Sequence, residues 1–153
     1  MTAPEAESVR TRPEPRRRSG RGAQAAVVAV VALGGALGAS ARYALTLHWP
    51  TPAGSFPWAI FWTNVTGCAV IGVFMVLVTD VWAAHRLVRP FFGTGVLGGF
   101  TTFSTYAVDV RGLLDAGRPG LGLGYLAATV FAALTAVWLA SAAARRVLTG
   151  RRR

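Results

Sequence analysis

Residues 98–106 bring two glycines, four Ser or Thr hydroxyls and three aromatic side chains into one run, Gly-Gly-Phe-Thr-Thr-Phe-Ser-Thr-Tyr. The run lies inside an apolar stretch that is long enough to cross a membrane. Irregular backbone is tolerated in a bilayer only where protein buries it or where it lines a cavity. Interrupted membrane helices of this kind form ion and substrate sites. The run therefore predicts a site through which a small polar solute permeates.

The other polar side chains of the apolar stretches donate hydrogen bonds and carry no negative charge. An amide without hydrogen bonds is costly in hydrocarbon, so Asn64 is expected to have a partner. It either bonds a neighbouring helix or donates to a permeating anion. Tyr125 and Thr129 are four residues apart and share a helix face. Phe103 and Tyr106 can turn the positive edges of their rings toward an anion. These residues predict a donor-rich track together with Thr101, Thr102, Ser104 and Thr105.

Arg42 is the one charged residue well inside an apolar stretch. Two interpretations stay open: its guanidinium extends from a helix end to the membrane interface, or it attracts anions into a water-filled vestibule. No Asp or Glu lies in the core of an apolar stretch, although proton-coupled carriers and cation channels commonly use such carboxylates. The pattern favours an anion as the permeating species.

The composition is that of a membrane protein. Of the 153 residues, 53% are hydrophobic and 14% are charged, whereas a soluble domain has about 25% charged residues. Four stretches approach the roughly 20 residues needed to span the hydrocarbon, at 23–47, 58–78, 91–110 and 120–143. The sequence predicts an all-α membrane protein with four transmembrane helices, of which the third is broken. A channel domain at 23–144 would lie between a disordered basic tail at 1–22 and a basic tail at 145–153.

All 16 basic residues are arginine, the net charge is +10, and eleven of the arginines lie in the tails. Basic tails beside membrane helices contact anionic lipid and set orientation, and the sequence contains no base-reading element, so nucleic acid is not expected as a partner. With the N-terminus in the cytoplasm, thirteen arginines lie inside and two, Arg111 and Arg118, outside. This bias predicts a multi-pass inner (plasma) membrane protein with both termini cytoplasmic.

Catalysis is not predicted. Ser104 has no base nearby in the sequence, and neither His48 nor His85 is placed to act as one. A small four-helix drug/proton antiporter would need a membrane-embedded glutamate, which the sequence lacks.

Four sequence marks resemble the CrcB/Fluc family of fluoride channels. They are Gly-Ala-Ser-Ala-Arg-Tyr ending at Tyr43, Thr-Asn-Val-Thr-Gly at 63–67, the run at 98–106, and Asp109 shortly after it. The resemblance covers all four stretches, about residues 27 to 144, and leaves out the basic tails.

The resemblance implies an antiparallel dimer with two pores, each built from both subunits. Asn64 then resembles the pore asparagine and Arg42 the vestibule arginine, while Phe103 and Tyr106 take the places of two pore phenylalanines. The backbone carbonyl groups of Gly98 and Thr101 would hold a structural sodium ion at the dimer interface. The remaining members of the implied polar track are Ser104, Thr105, Tyr125 and Thr129.

Two departures from the family pattern bear on function. Tyr106 stands where phenylalanine is usual, and its hydroxyl could enter the pore or turn away. The arginine bias predicts a single orientation, whereas the family pattern implies insertion in both. The antiparallel partner could be the same chain or a related chain of opposite bias, and the latter is our hypothesis.

The resemblance implies passive export of cytoplasmic fluoride down its electrochemical gradient, which lowers fluoride toxicity. The alternative is a non-conducting structural or assembly subunit of a membrane complex, or the partner half of a heterodimeric channel.

Overall fold

A computed structural model describes residues 19–80 and 85–150, and the described residues form helices joined by short loops. Helix α1 is Ser19–His48 and helix α2 is Trp58–Asp80. A π-helix, Arg89–Leu97, leads into a single α-helical turn, α3, at Gly98–Phe100. Helix α4 is Ser104–Asp115 and helix α5 is Pro119–Gly150.

Three of these helices are long and apolar enough to cross a membrane: Arg21–His48, Trp58–Asp80 and Pro119–Gly150. They contain the predicted stretches at 23–47, 58–78 and 120–143. Large apolar side chains are exposed along them, among them Leu37, Phe131 and Trp138, as suits helices that face lipid or another protein. The chain is an all-α protein with several membrane-crossing helices.

The helices extend beyond the predicted boundaries. Residues 19–22, assigned to the N-terminal tail by the sequence, begin α1, whereas residues 1–18 lie outside the described residues. Arg145 and Arg146 belong to α5, which ends at Gly150. With 32 residues, α5 is about 48 Å long at 1.5 Å per residue. It therefore exceeds the roughly 30 Å of hydrocarbon, and its basic end can reach the interface.

The segment at 89–115 is helical at both ends and interrupted at 101–103, which is the interruption that the sequence predicts within 91–110. Thr101 ends the first half with extended backbone, at φ −74° and ψ 154°. Pro90, the second residue of the first half, has no backbone N–H and fits the first turn, where this group would lack a helical partner. Its π-helical geometry is often found at functional sites.

Glycines let α1 pack directly on the π-helix. A Cβ atom on Gly34 would lie 2.5 Å from Phe91 O, and one on Gly95 would lie 3.0 Å from Gly34 Cα. A Cβ atom on Gly38 would overlap Val96 O. The spacing Gly34-x-x-x-Gly38 predicts such close packing, and the contact fixes the first half of the broken segment against α1.

An aromatic and aliphatic cluster holds the second half of the broken segment. Tyr106 and Leu113 of α4 pack with Ile60 of α2 and Tyr125 of α5, and Phe56 closes the cluster from the loop before α2. The Tyr106 and Tyr125 ring centroids are 5.2 Å apart in an edge arrangement, which is favourable for aromatic pairs. This cluster sets the position of α4 relative to α2 and α5.

Candidate functional site

A cavity of ≈350 Å³ lies where α2, the break and α5 meet. It brings together seven of the residues that the sequence predicts for the site, from three separate parts of the chain. Its lining consists of Asn64, Gly98, Thr101, Thr102, Phe103, Tyr106, Thr129, Val130 and Ala133. None of these lining residues is Asp, Glu, His, Lys or Arg, so the cavity lining carries no formal charge.

Asn64 is buried and bonds both backbone groups of Thr102. Its Nδ2–H donates to Thr102 O at 3.0 Å, and its Oδ1 accepts the Thr102 N–H at 2.8 Å. The amide thus replaces the helical bonds that the break removes. A primary amide has two N–H donors, so one remains for a solute in the cavity. The two sequence interpretations of Asn64, contact between helices and donor to an anion, are compatible.

Gly98 O and Thr101 O are among the carbonyl oxygens that lose their helical donors at the break. In a continuous helix the Thr102 N–H would bond Gly98 O and the Thr105 N–H would bond Thr101 O. Instead, the Thr102 N–H goes to Asn64 Oδ1, and the Thr105 N–H goes to Thr102 Oγ1 at 3.2 Å. The carbonyl oxygens of Gly98 and Thr101 are the pair that the sequence predicts for sodium.

The two aromatic residues of the break differ in exposure. Phe103 is 79% exposed, whereas Tyr106 is 5% exposed, and their ring centroids are 5.7 Å apart. The Tyr106 hydroxyl donates to Leu126 O of α5 at 2.7 Å. The hydroxyl of Tyr106 therefore turns away from the cavity, and only its ring lines it.

Thr129 presents a buried hydroxyl to the cavity. The side chain is 4% exposed, and its Oγ1 makes no hydrogen bond of standard geometry among the described residues, although the Tyr125 hydroxyl one turn earlier lies near enough to interact with it. A buried hydroxyl without such a bond is costly, so a solute that accepts its proton would be favoured here. Tyr125, one turn earlier, is fully buried in the aromatic cluster, does not line the cavity, and donates to Asp109 Oδ2 at 3.4 Å.

A second polar group adjoins the cavity through Thr102. We call Thr102, Ser104 and Thr105 the hydroxyl cluster: Thr102 Oγ1 lies 3.1 Å from Thr105 Oγ1 and 3.3 Å from Ser104 Oγ. Arg42 joins it from α1, with Nε–H donating to Gly99 O and Nη1–H to Thr105 Oγ1, both at 3.3 Å. The half-buried guanidinium thus connects the turn before the break to the residue after it.

Sequence reasoning assigned the hydroxyl of Thr102 to the donor track but not its backbone groups, and it did not assign Leu126 or Gly99 to the site. Their contributions are mostly backbone groups, and backbone polarity leaves no signature in residue type. Asp109 had a signal, as an acidic residue shortly after the run at 98–106, but its Tyr125 partner could not be predicted without the packing of α4 on α5.

The fold and the site together define a class of protein: a multi-pass α-helical membrane protein with a donor-lined cavity at a broken helix, as found in channels and transporters. The chain belongs to the CrcB family, since residues 29–141 match the family described as "CrcB-like protein, Camphor Resistance". The family is one of ion channels and not of enzymes, as the sequence predicts.

Relatives resemble the chain over most of its length. The protein named fluoride-specific ion channel FluC 1 of Streptomyces coelicolor is 72% identical over 134 residues, which cover 88% of this chain and 87% of the relative. FluC 2 of Streptomyces avermitilis is 67% identical, and the similarity covers 100% of both chains. FluC 2 of Nocardia farcinica is 58% identical over 78% of this chain and 86% of its own length.

Proposed function

We propose that this protein is a fluoride-selective passive ion channel that exports cytoplasmic fluoride and lowers its toxicity. The relatives' names supply the ion. The observation that carries the proposal is the uncharged cavity at the break, into which Asn64 and the Thr129 hydroxyl can donate hydrogen bonds. An anion that has lost its water needs such donors.

The mechanism follows from the size and hydration of the ion. Fluoride is small and strongly hydrated, so its dehydration must be offset by the Asn64 N–H, the Thr129 hydroxyl and the ring edges of Phe103 and Tyr106. A narrow passage lined with donors excludes the larger chloride ion. A membrane potential that is negative inside drives an anion outward by about 2.3 kcal/mol per 100 mV, so export needs neither ATP nor a coupled proton.

The conducting form is an antiparallel dimer in which the broken segment at 89–115 is the third of four membrane-crossing segments. Phe103 supports this assembly, because its side chain is 79% exposed beside the cavity and leaves that side of the ring open to a cover. A second chain would supply it, so that each pore is completed by both subunits.

The carbonyl oxygens of Gly98 and Thr101 would hold a structural sodium ion at the interface of that dimer. These oxygens suit a hard cation because each has lost its helical donor to a side chain of Asn64 or Thr102. When bound, the cation would offset the facing carbonyl dipoles of the two subunits. The chain's own contribution is the break, which frees these carbonyl oxygens from their helical hydrogen bonds.

The protein lies in the inner (plasma) membrane with both termini cytoplasmic, as the ratio of thirteen inside arginines to two outside supports. The antiparallel partner is then a related chain with the opposite bias, or a second copy inserted against the bias. Relatives named FluC 2 and FluC 3 both come from Streptomyces avermitilis, so one organism can supply two such chains. Anionic lipid contacts the basic helix ends.

Growth on fluoride tests the proposal in a cell. A bacterial strain without its own fluoride exporter would carry the wild-type gene or Asn64→Asp, each with and without a related chain. We expect the wild type to restore growth in millimolar fluoride and Asn64→Asp to fail. Equal growth of the two at matched membrane expression would contradict the proposal.

A further inference from the structure

Thr105 Oγ1 accepts hydrogen bonds from two sides. Arg42 Nη1–H donates to it at 3.3 Å, and Thr102 Oγ1–H donates to it at 3.1 Å. A hydroxyl oxygen has two lone pairs and one proton. Since both lone pairs are occupied, the proton of Thr105 is left for an acceptor outside the hydroxyl cluster.

Arg42 imposes this direction because a guanidinium has only donors and stays protonated. The contact between the two hydroxyls is oriented with Thr102 Oγ1–H as the donor, and the Thr102 oxygen in turn accepts the Thr105 N–H at 3.2 Å. The second Arg42 bond, from Nε–H to Gly99 O, holds the guanidinium plane against the break. Arg42 and Thr102 therefore both donate to Thr105 Oγ1, and the hydroxyl proton of Thr105 points out of the cluster.

Other threonines show that this is not the usual fate of a helical hydroxyl. Thr63, Thr66 and Thr79 each donate to the carbonyl oxygen four residues earlier, at 2.7, 2.6 and 2.7 Å, a common arrangement in helices. Within the described part of the chain, Thr105 Oγ1 makes hydrogen bonds only with Arg42 and Thr102. Its proton is not taken up by its own helix.

We propose that Arg42 is a positioning residue that acts through Thr105: it fixes the hydroxyl so that the proton, and not a lone pair, meets the approaching anion. The inference rests on the proposed fluoride channel and adds a source of its preference for anions. It differs from interfacial snorkelling and from simple charge attraction, because its effect depends on the Thr105 oxygen.

A double-mutant cycle of Arg42→Met and Thr105→Val tests this dependence. Fluoride efflux from liposomes would be measured for the wild type and each variant over a range of fluoride concentrations. Every protein would be reconstituted as the wild type conducts, alone or with a related chain. We expect each single variant to lower the maximal flux about tenfold, the scale of one lost charge-assisted hydrogen bond. The double variant should fall no more than about twofold below Thr105→Val. Thr105→Ser, which keeps the oxygen and its proton, should stay within about twofold of wild type.

Matched controls separate the cluster from general effects. Arg86→Met removes a charge at an exposed position, and Thr66→Val removes a hydroxyl on the exposed side of α2; both should conduct like the wild type. If Arg42→Met does not fold, as judged by its elution profile in detergent, Arg42→Lys takes its place in the cycle, because lysine keeps the charge but lacks the fork that joins Gly99 O and Thr105 Oγ1.

The outcomes are distinguishable. The losses could instead be additive, with Arg42→Met raising the half-saturating fluoride concentration by the same factor whether residue 105 is Thr or Val. This result would show that Arg42 acts by charge attraction, and it would overturn the inference but not the proposed channel. A wild type that passes no fluoride, alone or with a related chain, overturns the proposed function and the inference with it. A non-additive cycle with rescue by Thr105→Ser supports the inference.

Discussion

Asn64 serves the break and the cavity with the same side chain. The residue type was predictable as functional, because an amide in an apolar helix needs partners. Its bonds to the Thr102 backbone were not predictable, since they require α2 to lie beside the break. The same holds for Arg42, whose two open interpretations from the sequence become a specific contact with Gly99 and Thr105.

Asn64→Asp should abolish fluoride flux, and Asn64→Ala should reduce it less. Both variants lose the N–H that donates to Thr102 O, and alanine also loses the oxygen that accepts the Thr102 N–H, so alanine weakens the break at least as much as aspartate. Aspartate in addition places a negative charge in the path of an anion. The measurement is the initial rate of fluoride efflux at matched protein density. If Asn64→Ala is as inactive as Asn64→Asp, the loss of flux comes from the weakened break and not from the added charge.

Tyr106→Phe should lower stability and leave fluoride selectivity unchanged. The lost bond from the Tyr106 hydroxyl to Leu126 O contributes about 1 kcal/mol, whereas the ring still lines the cavity. Thermal unfolding in detergent would show a lower midpoint for this variant. Tyr43→Phe, at a tyrosine that is 63% exposed, is the control and should unfold like wild type. Chloride permeation by Tyr106→Phe would mean that the hydroxyl acts inside the pore.

At the scale of elements, the contact between α1 and the π-helix fixes the first half of the broken segment. The spacing of Gly34 and Gly38 predicted a close contact but not its partner, because the sequence could not show that Gly95 would lie opposite. The break itself was predictable from two glycines followed by hydroxyl residues. The π-helical geometry before it was not, since no residue pattern separates a π-helix from an α-helix with confidence.

Gly38→Ala should prevent correct folding, whereas Gly35→Ala should be tolerated. A methyl group on Gly38 would overlap the Val96 carbonyl oxygen, but nothing lies within 4 Å of a Cβ atom on Gly35. The two positions share one helix, so helix propensity changes alike in both variants. The fraction of protein that elutes as a single species in detergent would be compared. Equal recovery of the two variants would show that α1 does not pack on the π-helix in this way.

At the scale of the whole molecule, apolar length predicted more of the fold than residue chemistry did. Three predicted stretches correspond to long apolar helices, because about 20 apolar residues have few other stable arrangements. The third stretch has an observed break. In the proposed dimer each pore is completed by both subunits, which the sequence of one chain could not specify.

The arginine bias should give a single orientation. Epitope tags at both termini should be digested by protease only after the inner membrane is opened. A variant without residues 1–18 and 151–153 keeps five inside arginines against two outside and should expose a larger fraction of termini. Substantial exposure of the full-length chain in intact cells would contradict a fixed orientation and favour a dimer of identical chains.

Fluoride efflux from liposomes tests the channel itself most directly. The purified chain, alone and with a related chain, would be reconstituted into liposomes loaded with potassium fluoride or potassium chloride, and valinomycin would be added to release potassium. We predict fast fluoride efflux and no chloride efflux from at least one of the two preparations. Folded protein that releases no fluoride in either preparation, or releases chloride as fast, would contradict a fluoride-selective channel.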